Sequence, residues 1–199
     1  MSRGLGDVYK RQGFSFVSEK NARENLEAEM LGKSFAEVRS EATATWNDLL
    51  GRIRVEGGTE REKGLFYSSL YRSFLWPALR SDVNGEFTDV DGKVINPGFR
   101  YYTGPSYWDD YRNKLILLGM LAPDVAADVI SSDTDKGEKR GGFMPTFFHG
   151  DHASAFVAGT YLRGNRGFDV NRAYNLVLRN ATVQGPVSYT HLTLPTNSR

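Results

Sequence analysis

The chain has 199 residues, of which 40% are hydrophobic and 13% are aromatic, a composition that suits one globular domain with a sizeable core. Its 25 basic and 24 acidic residues give a net charge of +1, which argues against nucleic acid or an anionic membrane as the partner. The sequence has no cysteine and no apolar run of about 18 residues. It therefore predicts no disulfide, no thiolate metal site and no membrane segment.

The two ends of the chain differ in character from the rest. Residues 1–12 have no apolar stretch and no small-residue cleavage site, so they are not typical of a signal peptide. Residues 186–199 show no helical period and end in polar residues. Both segments resemble translated adapter or library-junction sequence, so we expect foreign or disordered ends; ordinary flexible termini are the alternative.

The first part of the body, residues 13–56, predicts a short strand and two helices. Phenylalanines alternate with other residues over 13–18, as in a strand. Residues 19–31 predict an exposed helix that stops at Gly32. Ser34 and Glu37 have capping-box spacing and open a second helix, whose apolar residues share one face: Phe35, Val38, Ala42, Trp46, Leu49 and Ile53. We interpret Trp46 as a core anchor.

A third helix follows the Gly57-Gly58 pair. Thr59 and Glu62 form another capping box, and Pro77 ends the regular pattern. Its apolar face is rich in aromatic residues and is expected to be buried against neighbouring helices: Leu65, Phe66, Leu70, Tyr71, Phe74 and Leu75.

Residues 81–103 predict a small β-hairpin or two. Asn84-Gly85 and Asp91-Gly92 are turn dipeptides flanked by apolar residues. The acidic and amide residues here are of the types that bind calcium, but they lack EF-hand spacing and the closing glutamate. Turn chemistry is the preferred explanation.

The segment 101–112 (YYTGPSYWDDYR) combines five aromatics, two carboxylates and an arginine. Ser106 and Asp109 have capping-box spacing, which predicts a helix running on to Leu121. Aromatic faces stack on sugar CH surfaces, and charged groups bind sugar hydroxyls, so this loop suits a sugar site. The alternative is structural: Asp109 only caps the helix and Trp108 only fills a core.

The rest of the chain alternates helices with glycine or proline loops. Pro123 restarts a helix through Ile130, and the polar stretch 131–140 reads as a solvated connection. Asp151 is placed to cap a helix reaching Leu162, and Asp169 to cap the last one. Successive helix pairs favour a bundle or an α/α toroid over a parallel sheet.

Two loops carry the residues that could take part in binding or catalysis. One holds Trp108 and Asp109; the other holds His149, Asp151 and His152. If the loops converge, Asp109 and Asp151 could face each other as the carboxylate pair that glycoside hydrolysis uses. His152 could act as a general base or bind a hydroxyl, or be an ordinary first-turn helix residue. With three histidines in the chain, a three-histidine zinc site is not expected.

Four stretches of this sequence resemble the glycoside hydrolase family 92 α-mannosidases. They are 64–71 (GLFYSSLY) followed by 81–85 (SDVNG), 101–103 (YYT) with 107–112 (YWDDYR), 141–145 (GGFMP), and 150–153 (GDHA). The resemblance implies a calcium-dependent, exo-acting, inverting α-mannosidase with an N-terminal β-sandwich, linker helices and an (α/α)6 catalytic barrel.

On this resemblance the chain is mainly α, a partial (α/α)6 toroid with linker helices and a small β-hairpin insertion. Residues 13–56 would be the last strand of a missing β-sandwich plus linker helices, and residues 57–185 the first half of the barrel. Because half a barrel exposes the apolar edges that its missing helices should cover, we predict that this chain alone is inactive and prone to aggregate.

The resemblance also assigns the site. Trp108 and Asp109 match a pair that contacts the terminal mannose, and Asp151 and His152 match a pocket-lining motif. The general acid, the base and most calcium ligands would lie beyond this sequence, so no catalytic residue and no metal ligand is assigned. The implied cofactor is calcium, the implied partner is a mannose-containing glycan, and the implied location is secreted or periplasmic.

Departures from the family pattern leave the linkage preference and the exact activity open. Asp110, the stretch 114–116 and the stretch 131–140 differ from what the family usually shows. Two other functions remain as alternatives: a non-catalytic carbohydrate-binding helical domain that uses Trp108 and Asp109 for recognition only, and a toroid glycosidase of another family.

Overall fold

The computed structural model describes residues 11–146 and 150–183. The predicted foreign ends therefore lie almost entirely outside the described residues, as does His149. Within the described ranges the chain forms helices and one small hairpin in this order: α1 Glu19–Met30, α2 Phe35–Leu50, α3 Glu60–Ser73, β1 Phe87–Thr88, β2 Val94–Ile95, α4 Tyr107–Asp110, α5 Lys114–Leu121, α6 Pro123–Lys139, α7 His152–Leu162 and α8 Val170–Thr182.

The first three helices begin where local sequence predicts. Ser18 caps α1 by accepting a hydrogen bond from the backbone N–H of Asn21 (3.1 Å). The capping boxes predicted for α2 and α3 are both present, from Ser34 with Glu37 and from Thr59 with Glu62. Each box satisfies N–H groups that the first turn of a helix leaves unpaired.

The strand predicted over 13–18 is wrong, since these residues form no ladder. A strand pairs its backbone groups with those of a neighbouring strand, whereas here the Phe16 carbonyl accepts from the side-chain hydroxyl of Thr88 on β1 (3.0 Å) and no ladder forms over 13–18. The Ser15 hydroxyl instead donates to Asp82 (2.6 Å) and accepts from the Val17 N–H (2.9 Å). The Arg80 guanidinium lies 3.6 Å from the centre of the Phe16 ring.

The hairpin prediction is confirmed. Strands β1 and β2 pair antiparallel, with Phe87 opposite Ile95 and Thr88 opposite Val94. Asp89 holds the connecting turn, because its Oδ1 accepts from the N–H of Asp91 (2.9 Å) and of Lys93 (2.8 Å). Its carboxylate therefore serves turn chemistry, as preferred over a calcium site.

The single helix predicted from Ser106 to Leu121 is wrong, because the chain breaks between α4 and α5. Asn113 lies at the break with φ −138° and ψ −60°, and its side chain accepts from the Lys114 N–H (2.6 Å). Asparagine competes in this way with the hydrogen bonds of a continuous helix, so α4 stays a single turn that carries Trp108 and Asp109.

The solvated connection predicted over 131–140 is also wrong, because α6 continues to Lys139. Ser132, Asp133 and Thr134 on this stretch are buried. The hydroxyls of Ser132 and Thr134 donate to carbonyls one turn back (2.7 and 2.8 Å), which lets polar residues enter a buried helix. Gly137 allows a close approach, since a Cβ there would lie 2.5 Å from the Phe143 carbonyl oxygen.

The core lies between α5, α6, α7 and α8, with α6 in the middle. The N-terminal helices add little to it. None of the α2 residues is buried, and Trp46 is half-buried, packing on Tyr71 with 4.5 Å between ring centroids. On α3 only Leu70 is buried, whereas Leu65 is 60% exposed. The predictions of a core anchor at Trp46 and of a buried aromatic face on α3 are therefore wrong for this chain.

The fold-class prediction is confirmed: the chain is mainly α, a partial (α/α)6 toroid with linker helices and a small β-hairpin insertion. Among the described residues, no single helix is long and apolar enough to cross a membrane. The α5–α6 pair meets that criterion only when its two helices are joined across a 120° bend, by length and composition alone.

Candidate functional site

The segment that leads to Trp108 is fixed by backbone pairing. The Arg80 N–H donates to the Tyr101 carbonyl (2.7 Å), and the Thr103 N–H donates to the Ala78 carbonyl (2.9 Å). The Tyr102 N–H donates to the Ser132 hydroxyl (3.0 Å), which ties the segment to α6. Both tyrosines are buried as a result, so the chain enters α4 from a fixed direction.

Trp108 and Asp109 lie at the surface on α4. Trp108 is 39% exposed and Asp109 is exposed. The predicted Ser106 cap is wrong: its side chain makes no cap hydrogen bond to the backbone, and its hydroxyl donates to Asp109 Oδ2 (2.6 Å). This bond holds the Asp109 carboxylate at the start of α4 without burying it.

Asp151 and His152 open α7. The cap predicted for Asp151 is confirmed, because Oδ1 accepts from the Ser154 N–H (3.2 Å). The Ser154 hydroxyl also donates to Asp151 Oδ2. Each of the two carboxylates thus accepts a hydrogen bond from a serine at the start of its own helix.

The two loops meet at the His152 ring. It stacks on Tyr111 with a centroid distance of 4.1 Å and an interplanar angle of 11°. It also meets Trp108 edge-on, with centroids 5.4 Å apart. His152 Nε2 is buried and has no hydrogen-bond partner among residues 11–146 and 150–183. The structure therefore brings together Trp108 and His152, which are 44 positions apart in the sequence.

A buried polar network lies beneath α4. The Tyr107 hydroxyl donates to Asp133, and Lys136 Nζ donates to Asp133 Oδ1 (2.9 Å) and to the Tyr102 carbonyl (2.8 Å). Burial raises the pKa of Tyr107 well above its ordinary value, and the neighbouring Asp133 carboxylate raises it further. Tyr107 therefore stays protonated and anchors the residue next to Trp108.

A cleft of about 500 Å³ opens beside this network. Its lining includes residues 103–105 and Tyr107 from the segment that leads into α4, together with Pro145 and Thr146, which precede the Asp151 loop. The hairpin contributes Asp89, and α6 contributes Asp133 and Lys136. A concave surface with a few convergent polar groups is what a small polar ligand requires.

Asp89 connects the hairpin to α6 at the edge of this cleft. Its Oδ2 accepts from Lys139 Nζ (2.9 Å), and Lys139 also pairs with Asp135 (2.9 Å). The Lys139 hydrogen bond lowers the pKa of Asp89, and the N–H groups of Lys93 and Asp91 lower it further, against the opposing effect of burial. Asp89 is thus an anion at neutral pH.

Sequence reasoning missed the part of the site that α6 provides. Asp133, Lys136 and Lys139 lie in the stretch predicted as a solvated connection, although the Asp133–Lys136 and Asp135–Lys139 spacings are those of ion pairs along one helix. Those spacings were the available signal that the helix continues. Tyr101 was noted only as one aromatic of a loop.

The residues present do not fit a metal ion. In the described portions of the chain, no group of three or more His, Asp or Glu side chains comes together to hold one. Asp82 and Asp89, from the acidic cluster noted in the sequence, belong to separate hydrogen-bond networks. Residues 11–146 and 150–183 thus form no ligand set for the calcium ion that the resemblance implies.

Comparison with known proteins identifies the family. Residues 21–196 match the sequence model of the glycosyl hydrolase family 92 catalytic domain. The chain belongs to this family. The segment with the Trp108 loop and the segment with the Asp151 loop both lie inside the matched region, so family 92 sequence surrounds the whole candidate site.

Individual relatives agree with the family 92 assignment. An uncharacterized secreted glycosidase of Arthroderma benhamiae is 27% identical over 190 residues, which are 93% of this chain and 21% of the relative. The family 92 α-mannosidase BT3965 of Bacteroides thetaiotaomicron has a TM-score of 0.80 at 28% identity, covering 86% of this chain and 24% of that one. The inverting mannosidase BT2199 of the same organism has a TM-score of 0.76 at 26% identity, covering 86% and 25%.

The chain thus spans about a fifth to a quarter of the length of these family 92 relatives. The likeness covers the core helices and the candidate site together. What a complete protein of this family does is therefore a matter for proposal.

Proposed function

We propose that this chain is part of a glycoside hydrolase that removes terminal α-linked mannose from glycans with inversion. Family membership supports hydrolysis of a glycosidic bond. BT3965 is an α-mannosidase that has also been solved in complex with mannoimidazole, and that structure has a TM-score of 0.75 at 30% identity to this chain. BT2199 is an inverting mannosidase. Membership also sets aside the alternative of a toroid glycosidase from another family.

The observation that carries the proposal is the meeting of the two loops at Trp108 and His152. Trp108 offers an exposed ring for the CH face of a sugar, and Asp109 offers an exposed carboxylate for its hydroxyls. His152 adds a buried Nε2 without a partner in the described residues, and Asp151 orders its loop. Together these four residues form one wall of a mannose pocket.

The rest of the chemistry is assigned to other parts of a longer protein. An inverting enzyme needs one carboxylic acid and one carboxylate base, and we assign neither role to a residue of this chain. Calcium dependence is proposed from the resemblance alone. We expect the 199-residue chain to be inactive and prone to aggregate.

The proposed location is outside the cytoplasm. The family resemblance implies a secreted or periplasmic enzyme, and the relative from Arthroderma benhamiae is named a secreted glycosidase. The absence of cysteine is compatible with this location and does not demand it.

Sugar binding by the 199-residue chain tests the assigned wall. We expect methyl α-mannoside to bind weakly in an NMR titration. Asp109→Ala should weaken binding by about tenfold, because a hydrogen bond to a charged group contributes about 1.5 kcal/mol, and Trp108→Ala should weaken it through loss of the stacking ring. Phe35→Ala is the control, since it removes an aromatic that is 76% exposed on α2. Equal affinity in all four proteins would contradict the assignment of the wall.

Catalysis distinguishes the enzyme from the remaining alternative, a non-catalytic carbohydrate-binding domain. In the complete protein, we expect hydrolysis of an aryl α-mannoside that is lost on chelation of calcium and reduced by Asp109→Ala. A complete protein that binds mannose without hydrolysing any α-mannoside would favour the binding domain. Hydrolysis by the 199-residue chain itself would overturn the assignment of the acid and base to other segments.

A further inference from the structure

A largely buried ion pair lies at the break between α4 and α5, directly beside the mannose wall. Asp110 is the last residue of α4, and its Oδ2 accepts from Lys114 Nζ at the start of α5 (3.3 Å). The two side chains are 12% and 19% exposed. Both residues lie where the sequence departs from the family 92 pattern, and the structure shows that these two departures contact each other.

Helical spacing alone does not bring this pair together. In a continuous helix, residues four apart are neighbours, but the chain leaves the helical conformation at Asn113, where φ is −138° and ψ is −60°. The ion pair therefore crosses the break and fixes how α4 is oriented relative to α5. An exposed ion pair would do this weakly, whereas a largely buried pair leaves an uncompensated charge when it separates.

The turn α4 is anchored at both of its ends. Tyr107 and Asp110 are three positions apart, so they lie on the same side of the turn, and both are buried. Tyr107 is bonded to α6, and Asp110 is paired with α5. Trp108 and Asp109 lie between them on the outer side. Because both ends are held, α4 cannot rotate about its axis without breaking one of these bonds.

The direction of the chain at Asp110 also governs the second loop of the site. Tyr111 follows directly, and its ring stacks on His152 with a centroid distance of 4.1 Å. The guanidinium of Arg112 lies 4.5 Å from the centre of the same ring. A change of direction at Asp110 would move the ring on which His152 rests, and His152 in turn contacts Trp108. Both loops of the site therefore depend on the orientation of α4.

We propose that Asp110 and Lys114 are positioning residues for sugar binding in this protein. Neither residue is assigned a contact with the sugar. Their ion pair holds α4 so that Trp108 and Asp109 face the mannose and the His152 stack stays in place. This inference rests on the proposed function and adds that a charge pair outside the mannose wall sets the geometry of that wall.

NMR titration of the 199-residue chain with methyl α-mannoside tests the role of the pair. Asp110→Asn and Lys114→Met each remove one charge and keep a side chain of similar size. Each should weaken binding about fivefold, which is the scale of coupling within an ion-pair network. The double variant should lose no more than either single variant, because the pair is broken in all three proteins. Lys114→Arg keeps the charge and should retain most of the affinity.

A second measurement separates positioning from a general loss of stability. In the wild type, the stack on Tyr111 should shift the His152 ring signals upfield. These signals should move toward their unstacked positions in Asp110→Asn and in Lys114→Met, and should stay in place in Lys114→Arg. A merely structural role would lower the melting temperature but leave the His152 signals and the sugar affinity of the folded protein unchanged.

Asp48→Asn is the matched control, since it breaks an exposed ion pair of the same spacing on α2, and it should change neither measurement. Asp110→Asn and Lys114→Met proteins that bind the sugar as tightly as the wild type, or losses that add up in the double variant, overturn the positioning role while the mannose wall stands.

A wild-type chain that binds no mannoside overturns the mannose wall instead. The His152 signals then decide the role of the pair without the sugar. Signals that move in both single variants support the control of α4 by the pair, and signals that stay in place overturn it.

Discussion

The N-terminal helices α1–α3 and the C-terminal helices α5–α8 begin with similar local signals but bury very different fractions of their residues. Helix α2 buries no residue and α3 buries only Leu70. Helix α6 buries Ala126, Val129 and Ile130 together with polar residues such as Asp133. The apolar face of α2 is as regular in the sequence as that of α6, yet Phe35 at its start is 76% exposed.

A regular spacing of apolar residues therefore predicts a helix, but it does not predict which surface covers the apolar face of that helix. In this chain α2 packs on α3, and α3 on α5; Leu49 near the end of α2 reaches the core, but most residues of α2 stay exposed. The helices α5–α8 pack against one another around a core from which water is excluded. Since apolar burial supplies most of the stabilisation of a fold, stability should be concentrated in α5–α8.

Core truncation gives the sharpest contrast between the two regions. Ile130 on α6 is 0% exposed, so Ile130→Ala should lower the free energy of unfolding by about 4 kcal/mol, through lost burial and the cavity left behind. Phe35→Ala on α2 should change it by no more than about 0.5 kcal/mol. Urea denaturation followed by circular dichroism measures both. Comparable losses in the two variants would show that α2 has a covering surface after all.

Loss of the polar network under α4 should cause the next largest decrease in the free energy of unfolding. Asp133→Ala leaves both Tyr107 and Lys136 without their shared acceptor, and breaking a buried pair in this way costs about 3 kcal/mol. Asp48→Ala, on α2, removes the exposed ion-pair partner of Arg52. We expect this change to lower the free energy of unfolding by less than about 1 kcal/mol. The same denaturation series compares them. A near-neutral Asp133→Ala would mean that the network does not anchor α4.

Local signals were enough to predict where most helices begin. Ser34 with Glu37, Thr59 with Glu62, and the caps at Asp151 and Asp169 all act within four residues, and the structure contains each of them. Ser106 is the exception. Its hydroxyl bonds to the Asp109 side chain rather than to the backbone, a choice that depends on the direction in which residues 101–105 enter α4.

The structural features that could not be predicted from the sequence depend on contacts with residues far away in the chain. The stretch 131–139 looks solvated because its polar residues find their partners, Tyr107 and Asp89, 26 and 50 positions away. The pair of phenylalanines in 13–18 looks like a strand, but a strand forms only where another strand is available. At the candidate site, the resemblance supplied Trp108 and Asp109, whereas the contact of Trp108 with His152 needed the fold.

In a helix with few buried residues, loss of the N-cap should affect the stability of the first turn rather than that of the whole chain. Ser34→Ala removes the side-chain acceptor at the start of α2, which should destabilise that helix by about 1 kcal/mol. Because few tertiary contacts hold α2, the loss should appear as faster amide exchange in its first turn rather than as a change in global unfolding. Ser40→Ala, an exposed position within α2, is the control. Unchanged exchange at the Glu37 amide would contradict the prediction.

The smallest expected effect is a dependence on pH at the contact between the hairpin and α6. The Lys139 hydrogen bond lowers the pKa of Asp89 in the folded chain, relative to about 3.9 in an unfolded one. The stabilisation from Asp89 is therefore complete above that unfolded value and is lost as the pH falls from there toward the lower folded value. Asp89→Asn keeps an oxygen for the N–H groups of Asp91 and Lys93 but loses the charge that pairs with Lys139.

Asp89→Asn should thus lower the urea midpoint at pH 7 by less than Ile130→Ala or Asp133→Ala does, and the gap from the wild type should shrink at pH 3. Asp91→Asn is the control, because Asp91 is exposed on the same turn and should show no gap at either pH. A gap that stays constant from pH 7 to pH 3 would mean that Asp89 acts through the turn alone. The hairpin would then border the cleft without being held to α6 by charge. In that case the hairpin would belong with the weakly packed N-terminal part of the chain, and the stable core would begin only after β2.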